Sequence, residues 1–156
     1  MGLEIERKYL VQGDAWRKEA KAVLFVQGYI LAEKDRVVRI RLEGEKAKIT
    51  IKQELTSRVR NEYEYAIPVE DAEEMLENLC AKPLIKKHRH FLNFEEHEWV
   101  IDEFMGENEG LIVAELELND AEQEFPKPQW LGEEVTEDKR YYNAVLSQFP
   151  FKRWAK

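Results

Sequence analysis

Met1-Gly-Leu-Glu-Ile-Glu-Arg-Lys-Tyr-Leu10 is the stretch whose reading decides the fold. As a β-strand it sets Glu4, Glu6 and Lys8 on one face and Leu3, Ile5 and Tyr9 on the other. The Cβ atoms along the charged face then stand about 7 Å apart. That spacing is too wide for direct pairing and suits the sharing of a metal ion or a polyanion. A lone strand of this kind reads first as the solvated edge of a sheet. Its recurrence along the chain changes that reading.

The same alternation returns downstream. Leu24 to Leu31 reads as a strand centred on Gln27-Gly-Tyr29. Arg36 to Leu42 sets Arg39 and Arg41 against Val38, Ile40 and Leu42, and Ala47 to Gln53 sets Lys48, Thr50 and Lys52 against Ala47, Ile49 and Ile51. Arg58 to Ile67 opposes Arg60, Glu62 and Glu64 to Tyr63, Tyr65 and Ile67. Leu84 to Phe94 places Lys87 and Arg89 together. His97 to Phe104 sets Asp102 opposite Trp99 and Ile101, and Ile112 to Leu118 sets Glu115 and Glu117 opposite Ala114 and Leu116.

Helical periodicity is rarer. Val69 to Cys80 carries Ala72, Met75, Leu76, Leu79 and Cys80 as an apolar stripe that Pro83 ends. Asp14 is the expected N-cap of a short helix reaching Lys21, and Asn119 or Asp120 of another brief one. Thr136 is expected to cap a last helix with the stripe Tyr142, Val145, Leu146, Phe149. Phe125 to Trp130 is an extended, proline-fixed segment. No repeat or interior boundary appears, so residues 1–156 are expected to form a single domain.

Composition narrows the function. Asp, Glu, Lys and Arg make up 36% of the chain, against about a quarter in an ordinary globular protein. That excess must cover a very polar surface or line an internal cavity. The net charge of −8 comes with no basic block, which argues against a nucleic-acid partner but leaves room for a local cationic pocket. The one cysteine, Cys80, rules out a disulfide framework and belongs to a buried stripe. No apolar run reaches membrane-spanning length and no signal-peptide core is visible, so no membrane partner and a cytoplasmic location are expected.

Eight consecutive strands with few crossover helices predict an eight-stranded antiparallel β-barrel of the α+β class. Its charged faces should look inward. The amphipathic helices need an apolar surface, which the barrel's outside supplies. The polar faces also carry sign-sorted pairs: Glu4/Glu6, Arg39/Arg41, Glu62/Glu64, Lys87/Arg89 and Glu115/Glu117. Like charges two residues apart on one face repel unless something of opposite sign lies between them. A wet tunnel that takes a polyanion and a divalent metal satisfies both sets, whereas a dry one would be very costly.

Glu4-Ile-Glu-Arg-Lys8 resembles the ExExK signature of the CYTH-domain proteins, the triphosphate tunnel metalloenzymes. The likeness continues through Gln27-Gly-Tyr29, Arg39-Ile-Arg41, Thr50-Ile-Lys52, Arg60-x-Glu62-x-Glu64, Lys87-His-Arg89, Trp99-x-x-Asp102, Glu115-Leu-Glu117 and Gly132 to Tyr141. His90 stands where many members carry Tyr, on the face expected to point outward. The length resembles the short bacterial branch. The resemblance implies a charged lumen with helices packed outside, in which a small-molecule triphosphate is hydrolysed with Mg²⁺ or Mn²⁺. It implies that inorganic triphosphate gives pyrophosphate and phosphate. A nucleoside or thiamine triphosphatase, an adenylyl cyclase, a non-catalytic polyphosphate-binding module and a scaffold with merely decorative charge are the alternatives.

By the same resemblance, Lys8, Arg39, Arg41, Lys52, Lys87, Arg89 and Lys139 bind phosphates. Glu4, Glu6, Asp102, Glu115 and Glu117 hold metal, and Tyr29, Lys87, Glu62 and Glu64 serve the catalytic step. The residue types agree: arginine forks grip phosphate oxygens, and hard cations prefer carboxylates. Some readings remain double. Tyr29 is a proton-transfer or substrate-positioning group or else a packed tyrosine, Lys48 lines the tunnel or is solvated, and Lys139 reaches the mouth or lies on a helix surface. His88 and His90 are surface residues rather than zinc ligands. Trp130, Phe151 and Trp154 serve either a homodimer contact or internal packing.

Overall fold

The computed structural model describes residues 2–154. Met1 and residues 155 and 156, which the single-domain expectation includes, lie outside that range. Nine strands run in order: β1 (Gly2–Val11), β2 (Lys21–Ala32), β3 (Arg36–Glu43), β4 (Lys46–Glu54), β5 (Val59–Ala66), β6 (Ile85–Phe94), β7 (His97–Phe104), β8 (Ile112–Glu117) and β9 (Leu131–Glu134). Helix α1 (Val69–Asn78) follows β5, and a one-turn helix α2 (Asn143–Leu146) lies in the tail.

All neighbours pair antiparallel, in the order β5-β4-β3-β2-β6-β7-β8-β1-β9, and β5 also pairs with β1. That extra pairing, from Gly2↔Glu62 to Ile5↔Val59, closes an eight-stranded barrel. β1 is the seam. Its first half takes β5 on one edge, and its second half takes β9 on the same edge, through Tyr9↔Glu134 and Val11↔Leu131.

Alternation then sorts the chain as the composition requires. Outward positions of β1, β6, β7 and β8 bury Tyr9, Leu92, Trp99, Ile101, Ala114 and Leu116 beneath Trp16, Phe125 and Trp130. Outward positions of β3 and β4 bury Ile40 and Ala47 beneath Ala72, Leu76 and Cys80 of α1 and its exit. Cys80 is thus packed away as expected. A third cluster joins Tyr29, Ile85, Phe104 and Val113 to Tyr141, Leu146 and Trp154 of the tail. By strand parity those first four point inward, so the tail closes one end of the barrel. Trp130 and Trp154 are therefore internal packing residues.

Several helix expectations give way. Ala15–Glu19 is a 3-10 turn in which Asp14 makes no capping bond, and Lys21 already belongs to β2. Trp16 explains the change: a ring buried against His90, with centroids 4.8 Å apart, anchors the turn by packing rather than by a cap. Leu79 leaves the α1 stripe and is 59% exposed. Residues 119–123 form a turn, with Asp120 Oδ1 accepting from the Glu122 amide at 2.8 Å.

The predicted last helix is split into a 3-10 turn (Lys139–Tyr141), α2 and a second 3-10 turn (Phe151–Arg153). Thr136 caps none of them. Its Oγ1 accepts from the Lys8 amide at 2.9 Å, tying the tail to β1. β9 was not expected, because four residues are too few to show a period. Among the described residues no helix is long and apolar enough to cross a membrane.

Gly28 is where the exit of α1 meets the barrel. A Cβ there would lie 2.7 Å from Leu84 Cδ2 and 2.8 Å from Cys80 Cβ. Gly28→Ala should therefore cost about 1–3 kcal/mol by overpacking. Thermal unfolding measures it, and an unchanged melting temperature would contradict the tight contact.

Candidate active site

The inward faces enclose a cavity of about 700 Å³ whose lining is dominated by ionic groups. Eight charged residues of the barrel are buried: Glu4, Glu6, Lys8, Arg39, Arg41, Arg60, Lys87 and Asp102. Register brings them together. Lys8 faces Glu115 and Glu6 faces Glu117 across β1 and β8, while Lys52 faces Glu62 and Thr50 faces Glu64 across β4 and β5.

One side of the cavity is rich in carboxylates. Lys8 Nζ lies 2.9 Å from both Glu6 Oε1 and Glu115 Oε2. Direct pairing of Lys8 with Glu6 corrects the expectation from Cβ spacing, because the lysine's four-carbon stem spans the gap. Arg60 Nη1 adds a contact of 2.8 Å to Glu6 Oε1, and Lys52 Nζ sits 2.9 Å from Glu4 Oε1. Burial alone would raise the Glu6 carboxyl, but Lys8, Lys52 and Arg60 hold it well below the usual carboxylate range. Glu4 goes the other way, raised by burial and by Glu6 in spite of Lys52. Burial together with Glu4, Glu62 and Glu6 pushes Glu117 up to about 6. The carboxylates here outnumber their cations.

The opposite side is rich in cations. Lys87 is fully buried and donates to Asp102 Oδ2 at 2.8 Å and Asn143 Oδ1 at 2.9 Å. Arg89 grips both Asp102 oxygens, at 2.8 and 2.9 Å. Arg39 reaches Thr50 Oγ1 at 3.2 Å, and Arg41 Nε donates to Gln27 Oε1 at 2.9 Å. The guanidinium carbons of Arg41 and Arg89 each lie 5.0 Å from the centre of the Phe25 ring, a cation–π contact for both. Burial lowers Lys87 well below the usual lysine value, with Arg89 and Arg41 adding to the effect against Asp102. Burial, Arg39 and Arg89 bring Arg41 down to about 9. Asp102 is shared between Lys87 and Arg89, while Arg39 and Arg41 meet Glu64 and Glu43 only at 3.6 and 3.4 Å.

The structure gathers Lys8, Arg39, Arg41, Lys52, Lys87, Arg89, Glu4, Glu6, Glu62, Glu64, Glu115 and Glu117 around one cavity. Asp102 is set behind that lining, bonded to Lys87 and Arg89. The Tyr29 ring packs in the end cluster, and its hydroxyl accepts from Gln27 Nε2 at 3.2 Å. Lys139 reaches the cavity edge, 47% exposed, and pairs with Glu54 at 3.4 Å. Lys48 pairs with Glu43 and Glu64 at 3.3 and 3.6 Å. His90 meets Glu103 at 3.1 Å outside the barrel.

Sequence reasoning gave no role to Arg60, Gln27, Tyr142 or Asn143. Arg60 shares the period of Glu62 and Glu64 and was legible. Tyr142 lies on the cavity wall with Arg60 5.0 Å from its ring, in a stretch whose spacing imitates a helix stripe.

Among the described residues no three acidic, histidine or cysteine side chains form a ready-made metal cage. The donors nevertheless fit a hard divalent ion. All are carboxylates, and Glu4 and Glu117 are held against ionisation by burial and by the carboxylates around them. An added cation relieves that crowding.

A family model described as the CYTH domain matches residues 2–149. A protein of Acetivibrio thermocellus named inorganic triphosphatase is 51% identical over 154 residues, covering 99% of this chain and 99% of that relative. An inorganic triphosphatase of Nitrosomonas europaea is 37% identical over 148 residues, 92% of this chain and 96% of the relative. A crystal structure of an inorganic triphosphatase superposes with a TM-score of 0.66 at 35% identity, covering 94% of this chain and 95% of that one.

Crowding at Glu117 has a measurable sign. Its folded-state value near 6 stands above the ordinary 4.5, so its protonation favours the fold fully below about 4.5, and that contribution is lost as pH rises through about 6. In chelator, Glu117→Gln should gain melting temperature relative to the unsubstituted protein between pH 4.5 and 7. A difference that stays flat with pH would contradict the crowding.

Proposed function

The chain belongs to the CYTH domain family, and from that premise we propose that it is a metal-dependent inorganic triphosphatase, cleaving triphosphate to pyrophosphate and phosphate within a single catalytic domain. The observation that carries this reading is the pair of opposed shifts in one cavity. Glu4 and Glu117 at one side are pushed up, and Lys87 and Arg41 at the other are pushed down. A polyanion with a divalent cation corrects both at once; either alone corrects one.

Lys8, Arg39, Arg41, Lys52 and Arg89 grip the phosphate chain, the arginines through two-pronged contacts and the lysines as point charges. Asp102 is committed to Lys87 and Arg89, so it is assigned to orienting them. The remaining carboxylates Glu4, Glu6, Glu115 and Glu117 would hold the metal, for which oxygen-only donors favour Mg²⁺ or Mn²⁺. When bound, that ion supplies neutralisation of charge on the phosphate oxygens.

Hydrolysis needs a water aimed in line at a terminal phosphorus, a proton acceptor for that water and a proton for the leaving oxygen. Glu62 and Glu64 line the cavity and are assigned to the water. Glu64 is held ionised by Thr50, Lys48 and Arg39 despite partial burial, so it can accept a hydrogen bond from the water and orient it. Lys87 has an ammonium whose charge burial disfavours and is assigned to give a proton to the departing pyrophosphate. Tyr29, linked through Gln27, braces that end. As the anhydride P–O bond breaks, water's oxygen joins the terminal phosphorus and the proton count is restored from solvent.

Phosphate release from triphosphate, ATP and thiamine triphosphate, with Mg²⁺ or Mn²⁺ and with chelator, tests the reading. Triphosphate should be the preferred substrate and chelator should abolish release. Glu4→Gln should lose roughly 100-fold in rate, and Lys87→Ala about 100-fold or more in kcat. No release above the Glu4→Gln level would refute the proposal.

A further inference from the structure

Beside the cations that line the cavity runs a row of polar groups: Gln27 and Asp102 are closed off from solvent, and Asn143 is half-buried at the cavity wall. Gln27 and Asp102 are both 0% exposed. Asp102 takes Lys87 and Arg89 from one side. On the other side Asn143 Oδ1 accepts from Lys87 Nζ at 2.9 Å, and the same oxygen accepts from Gln27 Nε2 at 3.2 Å. Gln27 Oε1 in turn accepts from Arg41 Nε at 2.9 Å. Two carboxamides, one on β2 and one at the start of α2, thereby join Lys87 to Arg41.

The choice of carboxamide has a physical consequence. Ammonium and guanidinium groups are donors only and must find acceptors when buried. A carboxylate would satisfy them and cancel their charge. A carboxamide oxygen satisfies them and leaves the charge in place. Asp102 already offsets one of its two cations, so a second buried anion beside Lys87 would weaken the attraction of this side for a phosphate chain. Asn143 is brought to that depth by the docking of Tyr141, Leu146 and Trp154 into the end cluster. A site built otherwise on strands thus takes one of its supports from the tail.

We propose that Asn143, acting with Gln27, is a positioning residue for triphosphate hydrolysis: it aims the Lys87 ammonium and the Arg41 guanidinium at the phosphate path without neutralising them. This assignment rests on the triphosphatase reading above. Asn143 stands at the cavity wall, and its assigned action runs through the Lys87 ammonium that it accepts from.

Two substitutions separate orientation from charge. Asn143→Ala removes the acceptor, and Asn143→Asp keeps its shape but adds a negative charge. Both are compared with the unsubstituted protein in steady-state triphosphate hydrolysis and in metal-free triphosphate binding by calorimetry, with melting temperature as the check on folding. Asn143→Ala should lower kcat roughly tenfold to a hundredfold, with KM changed by less than about threefold. Asn143→Asp should instead raise KM and weaken metal-free binding by about tenfold or more. Variants with unchanged kcat, KM and binding would overturn the assignment, as would losses that merely follow the fraction of folded protein. Inactivity of the unsubstituted protein would overturn the triphosphatase reading itself, and this assignment with it.

Discussion

Closing eight strands into a barrel leaves one interior, and this chain fills it with ions. Each buried charge must then find a partner, because the cost of an unpaired buried ion is several kcal/mol. The observed pairings meet that demand locally. Glu6 is held by Lys8 and Arg60, Asp102 by Lys87 and Arg89, and Glu4 by Lys52. They do not meet it uniformly, since the carboxylates gather where β1, β5 and β8 adjoin and the cations where β3, β2 and β6 adjoin. The fold keeps these groups apart by register, and register is set by the outer face. Sliding β1 by one residue would turn Tyr9 inward and Lys8 out, into the cluster around Trp99.

Packing outside therefore fixes chemistry inside. The aromatic layer of Trp16, Trp99, Phe125 and Trp130 and the cover of α1 on Ile40 and Ala47 supply the apolar burial that an ordinary barrel finds in its centre. Freed from that duty, the centre can be polar. Among the described residues its apolar lining is the pair of Phe25 and Phe91 and the end closed by Leu146 and Trp154. There Tyr29 and Asn143 stand where packing gives way to ions. Stability and catalysis thus occupy opposite faces of the same strands, and a substitution on one face reaches the other mainly by shifting register or tail docking.

Much of this was legible in the alternation. Glu4, Arg39, Lys52, Glu62, Lys87 and Glu117 share the cavity because period 2 admits no other side once the partner residues are apolar. Sign-sorted pairs showed which way the faces turned. Three things were not legible. Asp102 has the residue type of a metal ligand, but its commitment to Lys87 and Arg89 depends on pairing of β6 with β7. The reach of Lys8 to Glu6 depends on side-chain flexibility that Cβ spacing ignores. The tail was misread because Tyr142, Val145, Leu146 and Phe149 imitate a helix stripe. In the fold Leu146 is buried, Phe149 is 43% exposed and Tyr142 lines the cavity. Short 3-10 turns held by individual aromatic contacts carry no period to read.

The most direct measurement of the central claim is anomalous diffraction from crystals grown with Mn²⁺ and a non-hydrolysable triphosphate analogue. The account predicts a manganese peak inside the barrel against the carboxylates of Glu4, Glu6, Glu115 or Glu117, with phosphate density against Arg39, Arg41 and Arg89. Manganese and analogue bound only on the outer surface, with the ion pairs of the interior unchanged, would contradict it.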